Sequence, residues 1–166
     1  LDLQTSKSVA IKVLHARFSG DPEALARFLN EGRAMAAVSH PGIVRVLGTG
    51  QLGDSGACYI AMEYLRGETL GVRLKRSGRL RREALLIGKQ IADALVAAHK
   101  KNIIHRDLKP SNIILVDGDE DAAGHDNVKI IDFGIAKLPV DEQQEQDFRT
   151  RTGTMIGTPV YMAPEQ

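Results

Sequence analysis

Apolar and polar positions alternate along the chain in blocks that read as distinct elements. Val9-Ala10-Ile11-Lys12-Val13-Leu14 is a short, β-branched run interrupted by one lysine, which predicts a strand. The polar stretch after it ends in Gly20-Asp21-Pro22-Glu23, where Asp21 is placed to cap a helix and Pro22 to occupy its first position. Leu25, Phe28, Leu29, Gly32, Met35 and Ala36 then recur at spacings of three and four, predicting an amphipathic helix that carries Glu31 and ends near Ser39-His40-Pro41-Gly42. Ile43 to Leu47 and Ala57 to Glu63 predict two strands separated by the turn-rich Gly48 to Gly56. The first part of the chain is therefore a small sheet carrying one helix.

The pattern changes after Tyr64-Leu65-Arg66-Gly67, which reads as a connector. The next stretch is predicted helical, with Leu85, Gly88, Ile91, Ala92, Leu95 and Ala98 on one face and Lys100, Lys101 and Asn102 at its C-terminus. Ile113 to Val116 and Val128 to Ile131 are short strand-like runs flanking an acidic insertion, Asp117 to Asn127, predicted to be an elongated hairpin loop that matches no calcium-loop spacing. The basic cluster Arg73, Lys75, Arg76, Arg79, Arg81 and Arg82 reads as a solvated face around two helix ends rather than a docking patch.

Composition narrows the class. The 166 residues are 43% hydrophobic, 26% charged and 4% aromatic, which suits one soluble globular domain or a piece of one. With 22 Lys plus Arg against 21 Asp plus Glu, the net charge of +1 gives no electrostatic reason to expect a nucleic-acid or anionic-membrane partner. No apolar run approaches the roughly 18 residues of a spanning helix, and Leu1 to Ser8 lack a signal-peptide layout. The lone Cys58 excludes an internal disulfide and a Cys-rich zinc site, and fits a structural cysteine in a reducing compartment.

The chemistry is concentrated late in the chain. His105-Arg106-Asp107-Leu108-Lys109-Pro110-Ser111-Asn112 is followed by Asp132-Phe133-Gly134 and then by Ala163-Pro164-Glu165. Each tripeptide is weak alone, but the set in this order is specific. On these motifs the chain resembles the eukaryotic-like protein kinases, in their serine/threonine branch. The phrasing from Gly157 to Gln166 looks most like the bacterial members. The resemblance runs from Val9 to Gln166 and implies an α+β, two-lobed fold. Residues 1–65 would form a small antiparallel-sheet N-lobe with one helix and the start of the hinge. Residues 66–166 would form a mainly helical C-lobe through the activation segment.

The resemblance also implies roles. ATP would be the phosphoryl donor, Mg2+ the cofactor, and Ser or Thr hydroxyls of proteins the acceptors, in a cytoplasmic setting, with any membrane tether outside this segment and self-association allowed for autophosphorylation. Asp107 would accept the proton of the substrate hydroxyl, and Lys109 would stabilise the γ-phosphate. Asn112 and Asp132 would hold the metal as hard oxygen donors. Lys12 would hold the α- and β-phosphates with Glu31 as its ion-pair partner, so the position of the helix would gate activity. Met62 would be the gatekeeper residue beside the adenine. Backbone groups of Glu63 and Leu65 would pair with the base, and Ala10 and Ile114 would sandwich it. His105 and Phe133 are expected to pack with Met35 and Val46 rather than transfer protons. Arg106 would receive a phosphate on Thr150, Thr152 or Thr154, whereas Thr158 would bond near Asp107 and Lys109.

The family's glycine-rich phosphate loop would precede Val9, yet Leu1 to Ser8 contain no glycine, and the chain stops at the Ala-Pro-Glu motif. The expectation is a kinase fold incomplete at both ends. Two other classes stand beside the enzyme reading: a catalytically inactive nucleotide-binding or interaction module, and a small-molecule phosphotransferase, the latter disfavoured by the complete motif set.

Overall fold

The computed structural model describes residues 7–18, 20–53, 56–78, 83–117, 127–133 and 161. Its first half begins with strand β1 (Val9–Val13), a single turn at Ala16–Phe18 and helix α1 (Pro22–Ala36). Asp21 caps α1 as its position predicts, accepting hydrogen bonds from the N–H groups of Glu23 and Ala24 at 2.9 and 3.1 Å, and Pro22 opens the first turn. The helix stops at Ala36, short of the predicted Ser39 to Gly42. Strands β2 (Val46–Leu52) and β3 (Ala57–Glu63) complete an antiparallel sheet in the order β1-β3-β2.

The strand expected at Ile43 to Leu47 is displaced. Ile43 makes an isolated parallel bridge to Ile130, with Val44 N–H donating to Ile130 O at 3.0 Å and Ile130 N–H donating to Gly42 O at 2.8 Å. The sheet strand starts only at Val46 and continues through Gly48 and Gly50, which read as turn residues in the sequence. Gly50 lies under the ring of Tyr59, where a Cβ would approach the ring oxygen to 2.8 Å. The glycine serves side-chain packing across strands rather than a turn. The turn itself falls at Gly53 and Gly56, whose φ values are +26° and +60°.

The second half holds strand β4 (Gly67–Thr69), helix α2 (Leu70–Ser77), helix α3 (Glu83–His99), a short turn at Pro110–Asn112, and strands β5 (Ile113–Val116) and β6 (Asn127–Ile130). These strands form a second antiparallel sheet in the order β4-β5-β6. The continuous helical reading after Gly67 therefore gives way to a strand and two helices. Gly67 explains why β4 can pair: its φ is +146°, and a Cβ there would sit 2.0 Å from Leu115 O. On α3 the buried positions are Ile87, Ala94 and Ala98, with Ile91 and Leu95 packed beside them. Leu85, placed on the inner face by periodicity, is 82% exposed, and Gly88 and Ala92 are exposed too. The end of α3 follows the expected pattern, with Asn102 in the left-handed region at φ 58° and Ile103 N–H donating to Ala98 O at 3.1 Å.

The largest core cluster joins the two halves. Met35 of α1, Val38, Ile43 and Val44 of the following loop, Ala94 and Ala98 of α3, Ile130 and Phe133 form one apolar body. A Cβ on Gly42 would lie 3.0 Å from that of Ala94, so this loop rests directly on α3. Phe28, Cys58 and Ile60 pack α1 on the first sheet, and Ile87, Ile113, Leu115 and Val128 pack α3 on the second. Cys58 is buried and accepts from Gln51 Nε2 at 3.7 Å, in keeping with a structural cysteine. Arg73 and Arg76 are not simply solvated: both donate to Glu68 Oε1, at 2.5 and 2.6 Å, and Arg73 also faces Glu83 at 3.6 Å. Arg79, Arg81, Arg82 and residues 118–126 lie outside the described residues.

Candidate active site

Lys12 sits mid-strand on β1, on the same face as Ala10 by strand alternation. Its Nζ donates to Glu31 Oε1 at 2.7 Å and to Asp132 Oδ1 at 3.0 Å. Three elements far apart in sequence thus converge on one ammonium. Glu31 is 4% exposed on the inner face of α1, beside Phe28 and Met35. Burial lowers the pKa of Lys12, but its hydrogen bond to Glu31 and the charges of Asp132 and Glu31 outweigh it, and the net shift is upward. Burial raises the Glu31 carboxyl, with Lys12 opposing.

The loop from His105 to Asn112 forms a second knot. Asp107 Oδ2 accepts from Lys109 Nζ at 2.9 Å and from Asn112 Nδ2 at 3.2 Å, and Asp107 O accepts from Asn112 Nδ2 at 2.9 Å. The Asn112 amide nitrogen therefore fixes Asp107, which assigns its Oδ1 as the atom that can face a cation. The backbone ties this knot to Asp132: Ile131 N–H donates to Asn112 O at 2.9 Å, and Ile131 O accepts from His105 Nε2 at 3.3 Å. Because His105 Nδ1 faces the Asp107 N–H at 3.3 Å, Nδ1 is the acceptor and Nε2 carries the proton. His105 is 3% exposed, burial pushes its pKa down, and its ring stacks on Phe133 at 4.7 Å between centroids. Phe133 in turn shares the core cluster with Met35, against which Val46 packs.

Two of the three non-glycine residues with positive φ among those described belong to this region: Arg106 at 59° and Asp132 at 54°. Such conformations cost about 1 kcal/mol or more each and persist where the surroundings enforce them. At Asp132, two residues after β6, the left-handed backbone accompanies the carboxylate's bond with Lys12.

A magnesium ion fits the donors present. Asn112 Oδ1 and the Asp132 carboxylate are hard oxygens tied together through Ile131. Among the described residues no group of three or more His, Cys, Asp or Glu side chains could hold a metal. Magnesium is commonly bound by one or two protein oxygens plus substrate phosphates, and Asn112 and Asp132 are two such donors.

The remaining expected residues are distributed as follows. Ala10 pairs in register with Met62, one residue before Glu63, and Leu65 and Met62 pack beside the main core cluster. Ile114 lies on β5 opposite Thr69 and Lys129. Gly134, Thr150, Thr152, Thr154, Thr158 and the Ala163-Pro164-Glu165 motif lie outside the described residues. Sequence reasoning missed the side chain of Glu63, which accepts from Lys129 Nζ at 2.5 Å. The available signal was Lys129 itself, a charge between apolar Val128 and Ile130 in a short strand.

One ammonium thus bridges a helix glutamate and a left-handed aspartate, and the loop tied to that aspartate's strand holds Asp107 by a lysine and an asparagine. The chain belongs to the protein kinase domain family, which it matches over residues 1–166. It is 42% identical over 170 residues to serine/threonine-protein kinase PknA of Mycobacterium tuberculosis, covering 100% of this chain and 37% of that protein. It is 41% identical over 165 residues to serine/threonine-protein kinase pkn3 of Myxococcus xanthus, covering 99% of this chain and 29% of the relative. The fold is similar to the crystal structure of the Mycobacterium tuberculosis PknI kinase domain, with a TM-score of 0.63 and 32% identity over 79% of this chain and 51% of that one. The chain thus spans 37% and 29% of the length of these two curated relatives.

Proposed function

We propose that this chain supplies the catalytic core of an ATP-dependent serine/threonine protein kinase, with residues 1–65 as part of the N-lobe and 66–166 as part of the C-lobe. The observation that carries the reading is Lys12 held between Glu31 and Asp132 while Asp107 is held by Lys109 and Asn112. Lys12 neutralises the α- and β-phosphates, and Glu31 keeps its ammonium from swinging away. Met62, Ala10, Ile114 and the backbone of Glu63 and Leu65 receive the adenine. Asn112 and Asp132 would hold Mg2+, which would supply charge neutralisation on the phosphates.

The acceptor Ser or Thr hydroxyl meets Asp107. Its oxygen forms the bond to the γ-phosphorus, the bond from that phosphorus to the β–γ bridging oxygen breaks toward ADP, and the hydroxyl proton passes to Asp107. Lys109 donates to the γ-phosphate during transfer, exchanging part of its present pairing with Asp107. The lysine-proline pair at 109–110 and the names of the relatives favour Ser or Thr as acceptor. Arg106 would receive a phosphate on Thr150, Thr152 or Thr154, Thr158 would help select the hydroxyl acceptor, and ATP as donor sets the reaction in the cytoplasm.

The test is transfer of labelled γ-phosphate to a protein substrate by the full-length protein and by Asp107→Asn. The expected loss in kcat is about 10²- to 10⁴-fold. Equal transfer by both proteins would sink the assignment and leave a nucleotide-binding module.

A further inference from the structure

Glu63 ends β3 where the chain leaves the first sheet. Its N–H donates to Arg45 O at 3.0 Å, and Arg45 N–H donates back to Glu63 Oε1 at 2.8 Å. That same oxygen accepts from Lys129 Nζ at 2.5 Å. Lys129 stands on β6 between the buried Val128 and Ile130, and the strand runs on through Ile131 into Asp132. One short segment therefore presents a carboxylate to Lys12 at its end and an ammonium to Glu63 a few residues earlier.

The Lys129 and Glu63 side chains are only 19% and 24% exposed, so the pair is better shielded than an ordinary surface bridge. It borders a cleft of about 340 Å³ whose walls include His40, Arg45, Glu63 and Lys129 but not Lys12, Asp107 or Asp132. The pair acts on the site from outside it. No step of the proposed transfer uses Lys129.

We infer that Lys129 is a positioning residue for nucleotide binding: by holding the Glu63 carboxylate, it fixes the peptide after Met62 against the strand that bears Asp132. The adenine end and the phosphate end of one nucleotide are then received in a single register. This rests on the kinase reading, in which the backbone at Glu63 and Leu65 meets the base. A loosened connector costs ground-state nucleotide binding more than the chemical step, because Asp107, Lys109 and Asn112 are tied independently.

The experiment uses the full-length protein and its Lys129→Met, Lys129→Arg and Glu63→Gln variants. Lys129→Met is expected to raise KM for ATP about 3- to 10-fold with kcat within about twofold, and Lys129→Arg to recover most of the loss. Glu63→Gln keeps an acceptor for Arg45 N–H but removes the charge, and should resemble Lys129→Met. Combining the two should add nothing further. Calorimetric binding of ADP with Mg2+ supplies a readout that does not depend on turnover and should weaken in parallel. Equal ADP binding by wild type and Lys129→Met overturns the inference while leaving the kinase reading intact, as does a rise in kcat at unchanged KM. ADP binding that weakens in Lys129→Met and recovers in Lys129→Arg, in a protein that transfers no phosphate, supports the inference and overturns the kinase reading. Should Lys129→Met fail to fold, Glu63→Gln decides: ADP binding equal to wild type overturns the inference.

Discussion

His105 shows how one residue can hold a catalytic segment without taking part in the reaction. Its Nδ1 accepts from Asp107 N–H, its Nε2 donates to Ile131 O, and its ring covers Phe133. The bond accepted at Nδ1 requires the neutral imidazole, and burial lowers its pKa from the ordinary 6.5. The folded protein therefore binds fewer protons here than the unfolded chain. The stabilisation is complete above 6.5 and is lost as pH falls through the lowered folded value. The urea midpoint is expected to drop from about pH 8 to about pH 5.5, and to drop less in His105→Gln, which cannot titrate at this position. An identical pH slope in the two proteins would contradict this account. The residue identities at Lys12, Glu31, Asp107, Asn112 and Asp132 were legible in the sequence because each lies in a spaced motif. The Asn112 amide on Asp107 and the Lys129 bond to Glu63 were not, because a hydrogen bond across strands or within a loop leaves no periodic trace.

At the scale of elements, α1 and β4 carry the clearest expectations. Helix α1 brings Glu31 to Lys12, and burial already disfavours the charged form of that carboxyl. Glu31→Gln should therefore change stability by no more than about 1 kcal/mol, yet lower kcat/KM for ATP by about 10- to 100-fold as Lys12 loses its clamp. Steady-state kinetics together with a urea melt separates the two effects. Gly67→Ala should behave in the opposite way, costing about 2–4 kcal/mol because φ +146° and the Leu115 carbonyl leave no place for a Cβ. Its denaturation midpoint reports this directly. Periodicity located α1, β5 and β6 because their apolar runs are regular, and Asp21 with Pro22 marks the start of α1. It failed at β2, where Gly48 and Gly50 look like turn residues yet lie in the strand, Gly50 making room for the Tyr59 side chain, and at β4, a three-residue strand too short to show alternation. It also placed Leu85 inside, since a helical repeat alone cannot say where an apolar stripe begins.

Across the whole molecule, Lys12 stands on the first sheet while the Asp107 loop leads into the second, and the Ile131-Asp132 segment bonds to both, Asp132 to Lys12 and Ile131 to His105 and Asn112. A nucleotide bound there should stabilise both halves together. Nucleotide at about 100 times its Kd is expected to add about 2.7 kcal/mol with Mg2+ present, and Asp132→Ala or chelation should remove most of that gain. Differential scanning calorimetry of the full-length protein checks it, and an unchanged gain in EDTA would count against metal-bridged binding. Within the described residues no helix is long and apolar enough to cross a membrane. The short bridge from Ile43 to Ile130 has a mechanical consequence. By its hydrogen bonds the 42–44 segment belongs to the second sheet, although it precedes a strand of the first. The chain then re-enters the first sheet at Val46 and leaves it again after Glu63, and the reciprocal bonds of Arg45 and Glu63 lash these two crossings side by side. Two adjacent, bonded crossings form an axle. Sliding or twisting one half against the other would have to break the paired Arg45–Glu63 bonds, whereas a swing about that line would keep them.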